Sequence, residues 1–423
     1  MISTIFHDPI SHASFRLKFR SSLLKIKNFG REASMRVPFY RHSLPASSAT
    51  LVAEVIESGF LTSGQYCSRV EDKLCAIFGV SHAKLTSSWT QGAVAVLLAL
   101  GIGPGDEVIV PAMTFVATAN VVKQVGATPV FVDVEPSTLL IDIASVRAAV
   151  TSRTRAVIPV HLYGQMVEIP ALRAALPAGI RIIEDAAHCF EGRRGGRRPG
   201  QDSDAAIFSF YATKNVTCGE GGAVITQDGA LAANLKEAVL HGMSAAAAQR
   251  FSGGRYQHWD VARLGTKANL PDLLAVLLET QLDSVDARLA QRERLARRYE
   301  ENLAATPLGF PAIEAEAVSA RHLFPIHVPG GQRDRVMRVL NDHGIGATVN
   351  YRSVPELSLY RNDPTVPRNG FPVSLDWGEG TLCLPLFPTL RQDEQDHVLN
   401  ILHGAVLPSL DSRMIEERGV AAL

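Results

Sequence analysis

The chain is poor in the residues that would staple a small fold or carry it into a membrane. Its 423 residues hold five cysteines, and Cys67, Cys75, Cys189, Cys218 and Cys383 are scattered without paired spacing. An odd, dispersed set speaks against a disulfide framework and against zinc. It fits a reducing cytoplasm, and no metal is expected. No apolar run approaches a membrane span, because charged or turn residues interrupt every one. Lysine plus arginine equals aspartate plus glutamate, so the formal net charge is zero. No global field draws in nucleic acid or an acidic membrane, and any anion must find a local site.

What is there is an ordinary globular mixture, with 46% apolar and 20% charged residues. The length suits one large domain plus a smaller one. Residues 1–35 stand apart. There Arg16, Lys18, Arg20, Lys25, Lys27 and Arg31 are interleaved with Phe15, Leu17, Phe19, Leu23, Leu24 and Ile26. A targeting or membrane-surface helix is one reading. A loose basic tail, or an over-called start ahead of Met35, is the plainer one. The stretch has no apolar core ending in a small-residue cleavage site, so it does not read as a secretory signal.

From Met35 onward helix and strand patterns alternate. Residues 49–58 and 69–78 have helical spacing and end at Gly59 and Gly79. Short β-branched runs follow at 107–110, 129–132, 156–160, 181–183, 205–208 and 223–226. They are apolar throughout and separated by helical stretches, as strands of a mostly parallel sheet covered on both faces would be. Residues 270–303 read as one long helical stretch bridging two domains. Its apolar stripe is Leu273, Leu274, Leu277, Leu278, Gln281 and Leu282, and its charged part, 288–294, is expected to be solvated. Strands at 322–328 and 347–351 and helices at 333–343 and 392–402 complete a small α+β unit. The expected division is a basic extension at 1–35, a large domain at 36–280 and a small domain with the linker helix at 281–423. Ala245–Ala248 is the one low-complexity tract.

Four stretches carry candidate chemistry. Thr86 to Gly92 opens an apolar helix, and hydroxyls with free N–H groups at a helix start can hold an anion. Taken alone, this is ordinary capping by Ser88 or Thr90. Pro111 to Phe115 follows a strand, where ligands of α/β sheets sit. Phe115 there can lie on an aromatic ring, although most single phenylalanines are core. Asp185 ends the run Ile182-Ile183-Glu184-Asp185, with His188 one helical turn on. Lys214 follows Phe208-Ser209-Phe210 and precedes Gly219-Glu220-Gly221-Gly222. An amine useful for chemistry needs its pKa lowered by burial or a nearby cation. An amine from one strand end facing a carboxylate from another is the arrangement pyridoxal 5′-phosphate needs. The lysine serves for the Schiff base and the carboxylate for the pyridine nitrogen.

These residues resemble the DegT/StrS family of sugar aminotransferases from about Val37 to Leu402. The likeness rests on Phe60-Leu61-Thr62-Ser63-Gly64, on 101–111, on 126–134 and on Val160-His161-Leu162-Tyr163-Gly164. It extends to Glu184-Asp185-Ala186-Ala187-His188, Phe208-Ser209-Phe210, Lys214-Asn215, Gly219-Glu220-Gly221-Gly222 and Leu384-Pro385-Leu386-Phe387. The resemblance implies the fold type I of PLP-dependent transferases. That is an α/β large domain with a mostly parallel seven-stranded sheet flanked by helices, plus a small C-terminal α+β domain. It implies Lys214 as the cofactor's anchor and proton shuttle, Asp185 on the ring nitrogen, His188 at the ring oxygen and Phe115 stacked on the ring. It gives the phosphate to Trp89, Thr90 and Ser209, completed across a homodimer interface by Lys267 or Asn269 of the neighbour. Trp89 stands where the family usually has a small residue, and Asn350-Tyr351 replaces a common His-Tyr pair. Relatives that act as 3-dehydratases carry histidine in place of the lysine, and here Lys214 is retained.

The activity implied is transfer of an amino group from an amino acid, glutamate by analogy, to a keto sugar linked to a nucleotide. Amination of a keto-cyclitol is the enzymatic alternative. A cofactor-binding regulator without turnover is the alternative of another class, and intact Lys214, Asp185 and His188 argue against it.

Overall fold

A computed structural model of the chain describes residues 35–244 and 260–410. The basic stretch before Met35 and the tetra-alanine tract lie outside the described residues. Among the described residues no helix is long and apolar enough to cross a membrane.

One seven-stranded sheet organises the chain. Its strands are β1 (His82–Thr86), β2 (Glu107–Pro111), β3 (Thr128–Val132), β4 (Thr154–Val157), β5 (Arg181–Asp185), β7 (Ala205–Ser209) and β8 (Gly222–Thr226). The short β6 (Arg193–Arg194) lies outside it, paired with β9 (Ala317–Val318). The order across the sheet is β1-β8-β7-β5-β4-β2-β3. The pairs from β7 to β3 are parallel, while β8 is antiparallel to both neighbours. One reversed strand in seven gives the mostly parallel sheet expected. The carboxyl ends of β1, β2, β4, β5 and β7 therefore open on the same edge.

Alternate side chains explain the layers. Ala205, Ile207 and Val224 face a cluster built on the helix Trp89–Ala99. Ala206, Phe208 and Ile225 face the opposite cluster with the helices Gln65–Phe78 and Asp272–Leu282. Both faces are dry, which is why the strand runs are apolar throughout. The helix Gln65–Phe78 starts further upstream than its sequence pattern shows. Its opening N–H groups at Gly64, Tyr66 and Cys67 donate to the buried Asp272 carboxylate at 2.8, 3.2 and 2.9 Å. A carboxylate there satisfies donors the helix cannot satisfy itself.

Three expectations are corrected. The stretch 270–303 is two helices, Asp272–Leu282 and Val285–Leu303, broken at Asp283 and Ser284. The charged part of the second is not wholly solvated: Arg292 is 1% exposed. It turns inward because a buried carboxylate, Glu191, awaits it at 2.5 Å. Residues 347–351 do not form a strand. Only an isolated bridge joins Thr348 to Cys383, and the small sheet consists of β10 (Phe324–His327) and β11 (Thr381–Leu384).

Candidate active site

The carboxyl ends of β1, β2, β4, β5 and β7 converge on a cavity of about 500 Å³. Its wall contains Trp89, Thr90, Phe115, Asp185, His188, Ser209 and Lys214. Seven of the nine site residues expected from the sequence are thus brought together.

Asp185 is the last residue of β5 and is 5% exposed. Its backbone is fixed on both sides: its N–H donates to the Pro159 carbonyl at 2.9 Å, and its carbonyl accepts from His161 N–H at 3.0 Å. Its carboxylate accepts from the Thr118 hydroxyl at 2.9 Å and from the Ala187 N–H at 3.1 Å. Thr118 in turn shares a 3.0 Å hydroxyl contact with Thr114. Burial raises the Asp185 pKa, and these donors and Lys214 oppose the rise.

Lys214 sits on the turn between β7 and β8, which Tyr211 and Gly219 brace with a bridge. Its backbone N–H donates to the Tyr211 carbonyl at 2.9 Å, and its carbonyl accepts from the Tyr40 hydroxyl at 3.4 Å. Among the described residues its ammonium takes part in no hydrogen bond or ion pair. Burial lowers its pKa to about 8, against the pull of Asp185. An amine in that range is available for chemistry near neutral pH.

His188 is held in one tautomer. Its Nδ1 accepts the Tyr163 N–H at 3.2 Å, so the proton is on Nε2, which faces the Tyr351 hydroxyl at 3.1 Å. Burial, with Lys214 and His322 nearby, holds its pKa well below the ordinary imidazole range, so the ring is neutral. Phe115 is 55% exposed, not a core residue, and its ring lies 5.7 Å from that of Tyr351.

Opposite Lys214 the helix Trp89–Ala99 points its N-terminus into the cavity. Ser88 caps it by accepting from Gln91 N–H at 3.1 Å. The N–H groups of Trp89 and Thr90 donate to no acceptor among the described residues. The Trp89 indole packs into the core, yet its Nε1 is buried without a partner. Gly222 allows the approach: a Cβ there would stand 2.6 Å from Ser88 C and 2.7 Å from Trp89 N. Unpaired N–H donors beside the Ser209 hydroxyl suit an anion, and an accessible amine facing a buried carboxylate suits a pyridine aldehyde. The residues present fit pyridoxal phosphate.

Lys267 and Asn269 line a different cavity, with Ser63 and Lys84. Lys267 Nζ donates to Asn269 Oδ1, and Asn269 Nδ2 to Ser63 Oγ at 2.7 Å. Within one chain they do not reach the Lys214 cavity. The structure adds residues that the sequence pointed to as lesser features or not at all. Tyr351 and Asn350 line the cavity from the C-terminal half, and Thr114 and Thr118 line it from the segment after β2. Spacing gave a hint only for Thr118, which lies one helical turn beyond Thr114.

A model of the DegT/DnrJ/EryC1/StrS aminotransferase family matches residues 43–403. Among solved structures, the chain is similar to sugar aminotransferase Spr1654 from Streptococcus pneumoniae in its PMP-form. The identity is 28% and the TM-score 0.83, over 89% of this chain and 100% of that one. It is similar to S. venezuelae DesV, solved in complex with a ketimine intermediate, at 32% identity and TM-score 0.77, over 84% and 93% of the two chains. It is similar to DesI, solved in the presence of its TDP-sugar product, at 28% identity and TM-score 0.80, over 91% and 96%.

Proposed function

The chain belongs to the DegT/DnrJ/EryC1/StrS aminotransferase family, and we propose that it moves the amino group of an amino acid, glutamate by family analogy, to the ketone of a nucleotide-linked sugar. Pyridoxal phosphate, the cofactor of this family, supplies an electron sink and an aldehyde carbon that exchanges amines. The observation that carries the reading is the half-buried Lys214 amine lining one cavity with the buried Asp185 carboxylate.

Lys214 Nζ would hold the cofactor's aldehyde carbon, and as a free amine it would move a proton to and from the donor's α-carbon. Its pKa, lowered to about 8, brings a fraction of the amine into the neutral form near pH 7. The Asp185 carboxylate would accept the N–H of the protonated ring nitrogen, a charge-assisted hydrogen bond of roughly 1.5–3 kcal/mol. Thr118 and Ala187 N–H keep its carboxylate in place. His188 offers its Nε2–H to the ring oxygen in exchange for the Tyr351 hydroxyl. Phe115 offers a ring face for stacking. Trp89, Thr90 and Ser209 bind the phosphate through N–H and hydroxyl donors.

Lys267 or Asn269 serves the phosphate site of a second copy in a homodimer, a reading supported by their position outside their own chain's cavity. Five free cysteines fit a reducing cytoplasm. The TDP-sugar product of DesI supports a nucleotide-linked acceptor. Two measurements test the function. Labelled glutamate should exchange its amino group with added 2-oxoglutarate through the purified protein loaded with pyridoxal phosphate, without any sugar acceptor. A panel of nucleotide-linked keto sugars set against keto-inositols should then give turnover with the former. Turnover confined to the inositols would move the acceptor to the cyclitol class, and no exchange would favour a regulator.

A further inference from the structure

Behind the cavity lies a buried polar chain that the reaction scheme above does not use. Arg292, on the helix Val285–Leu303, and Glu191, after β5, form an ion pair with both side chains 1% exposed. Asn215, the residue after Lys214, donates from Nδ2 to Glu191 Oε2 at 2.9 Å and to the Ala320 carbonyl at 2.9 Å. Arg292 Nε donates to the same carbonyl at 3.2 Å. Asn215 Oδ1 then faces His322 Nδ1 at 3.1 Å. The His322 ring stands 4.4 Å from the His188 ring, centroid to centroid.

The chemistry of these partners leaves one proton arrangement. A carboxylate paired with a guanidinium and a peptide carbonyl both only accept, so the Asn215 amide must turn its NH2 toward them. Its oxygen is left for His322, whose Nδ1 must therefore carry a proton. His322 is 5% exposed, and burial with Lys214 and Arg292 nearby keeps it uncharged. Its backbone N–H also donates to the carbonyl of Tyr163 at 3.1 Å, and Tyr163 N–H fixes His188. The two imidazoles are thus set by neighbouring groups in opposite tautomers, Nδ1–H at His322 and Nε2–H at His188.

We propose that Asn215 is a positioning residue, anchored by the Glu191–Arg292 pair, that pins the Lys214 turn and locks His322 as the neutral Nδ1–H tautomer against His188. A free neutral imidazole prefers the other tautomer, so the state of His322 reports this lock directly. The effect on rate rests on the aminotransferase reading, whereas the tautomer does not.

The test uses the full-length protein labelled with 13C and 15N, read by histidine NMR without cofactor and assigned with His322→Asn. Wild-type His322 should give the Nδ1–H pattern, and Asn215→Leu should move it to Nε2–H. With cofactor, labelled glutamate and 2-oxoglutarate as the exchanging pair, Asn215→Leu should lose about tenfold or more in kcat with KM changed less than about twofold. His322→Asn, whose amide nitrogen overlays Nδ1, should retain most of the rate. His322→Gln, whose amide nitrogen overlays Nε2, should fall with Asn215→Leu. If Asn215→Leu does not fold, the Asn and Gln variants at 322 decide. An Nε2–H pattern in the wild type, or equal rates for the two His322 variants, would overturn the proposal. The expected tautomer with no glutamate turnover in the wild type would support the lock and count against glutamate as donor.

Discussion

Asp185 pulls the pKa of Lys214 upward, and burial pulls it down further than Asp185 can restore. The net result is an amine lowered to about 8 from the usual 10.5. Asp185 ends β5, opposite Ile207 in the β5–β7 register, and Lys214 follows β7. The sheet itself therefore sets their relation, and each side chain's charge depends on the other.

The lysine should therefore titrate early. Pulse labelling of amines in the cofactor-free protein should give Lys214 a midpoint near about 8. In Asp185→Asn, which removes the charge that raises it, the midpoint should move lower still. A midpoint that rises in the variant would reverse the sign of the coupling.

Burying an ammonium also costs stability. The folded-state pKa is depressed, so the cost is complete below about pH 8 and fades as pH climbs toward 10.5. Lys214→Met should stabilise the cofactor-free protein at pH 7 by roughly 2–3 kcal/mol, and the gain should shrink through that window. Denaturant melts at pH 7 and pH 10 measure it; an equal gain at both pH values would contradict the account.

At Asp185 the expected effect is on rate. Asp185→Asn should reduce turnover roughly ten- to a hundredfold, the equivalent of one charge-assisted hydrogen bond, with the melting curve little changed. Steady-state kinetics beside thermal melts would separate the two, and an unaltered rate would remove the role at the ring nitrogen.

Much of this was legible beforehand, for a physical reason. Strands buried on both faces must be apolar throughout, and β2, β3, β5, β7 and β8 announce themselves in that way. The edge strand β1 does not. His82 to Thr86 contains Lys84, whose amine turns to Glu71 at 2.8 Å, so no apolar run marks it. Lys214, Asp185 and His188 were found because each ends or follows a strand. Thr118 was not, since its partner Asp185 is distant in sequence, and Tyr351 stood out only through the Asn350-Tyr351 pair, with no pattern to link it to His188. Arg292 looked solvated because a run of charges does not reveal which member meets a buried carboxylate.

Thr118 gives a sharper test of the support around Asp185. Its hydroxyl lowers the Asp185 pKa, so Thr118→Val should raise that pKa further, cut turnover and cost about 1–3 kcal/mol for the unpaired oxygen. The acid limb of the pH–rate profile should shift to higher pH; a shift to lower pH would contradict the hydrogen bond's role.

Gly222 should tolerate no side chain. A Cβ there would press on Ser88 and Trp89 at the helix start. Gly222→Ala should weaken cofactor retention and lower stability by about 1–3 kcal/mol. Equilibrium dialysis with pyridoxal phosphate checks this, and unchanged retention would place the phosphate elsewhere.

The most direct test is chemical. Protein loaded with pyridoxal phosphate is reduced with borohydride, digested, and mapped by mass spectrometry. The label should sit on the peptide carrying Lys214 and vanish in Lys214→Ala. A reduced protein without label there, or with label on another lysine, would contradict the assignment on which the proposed chemistry rests.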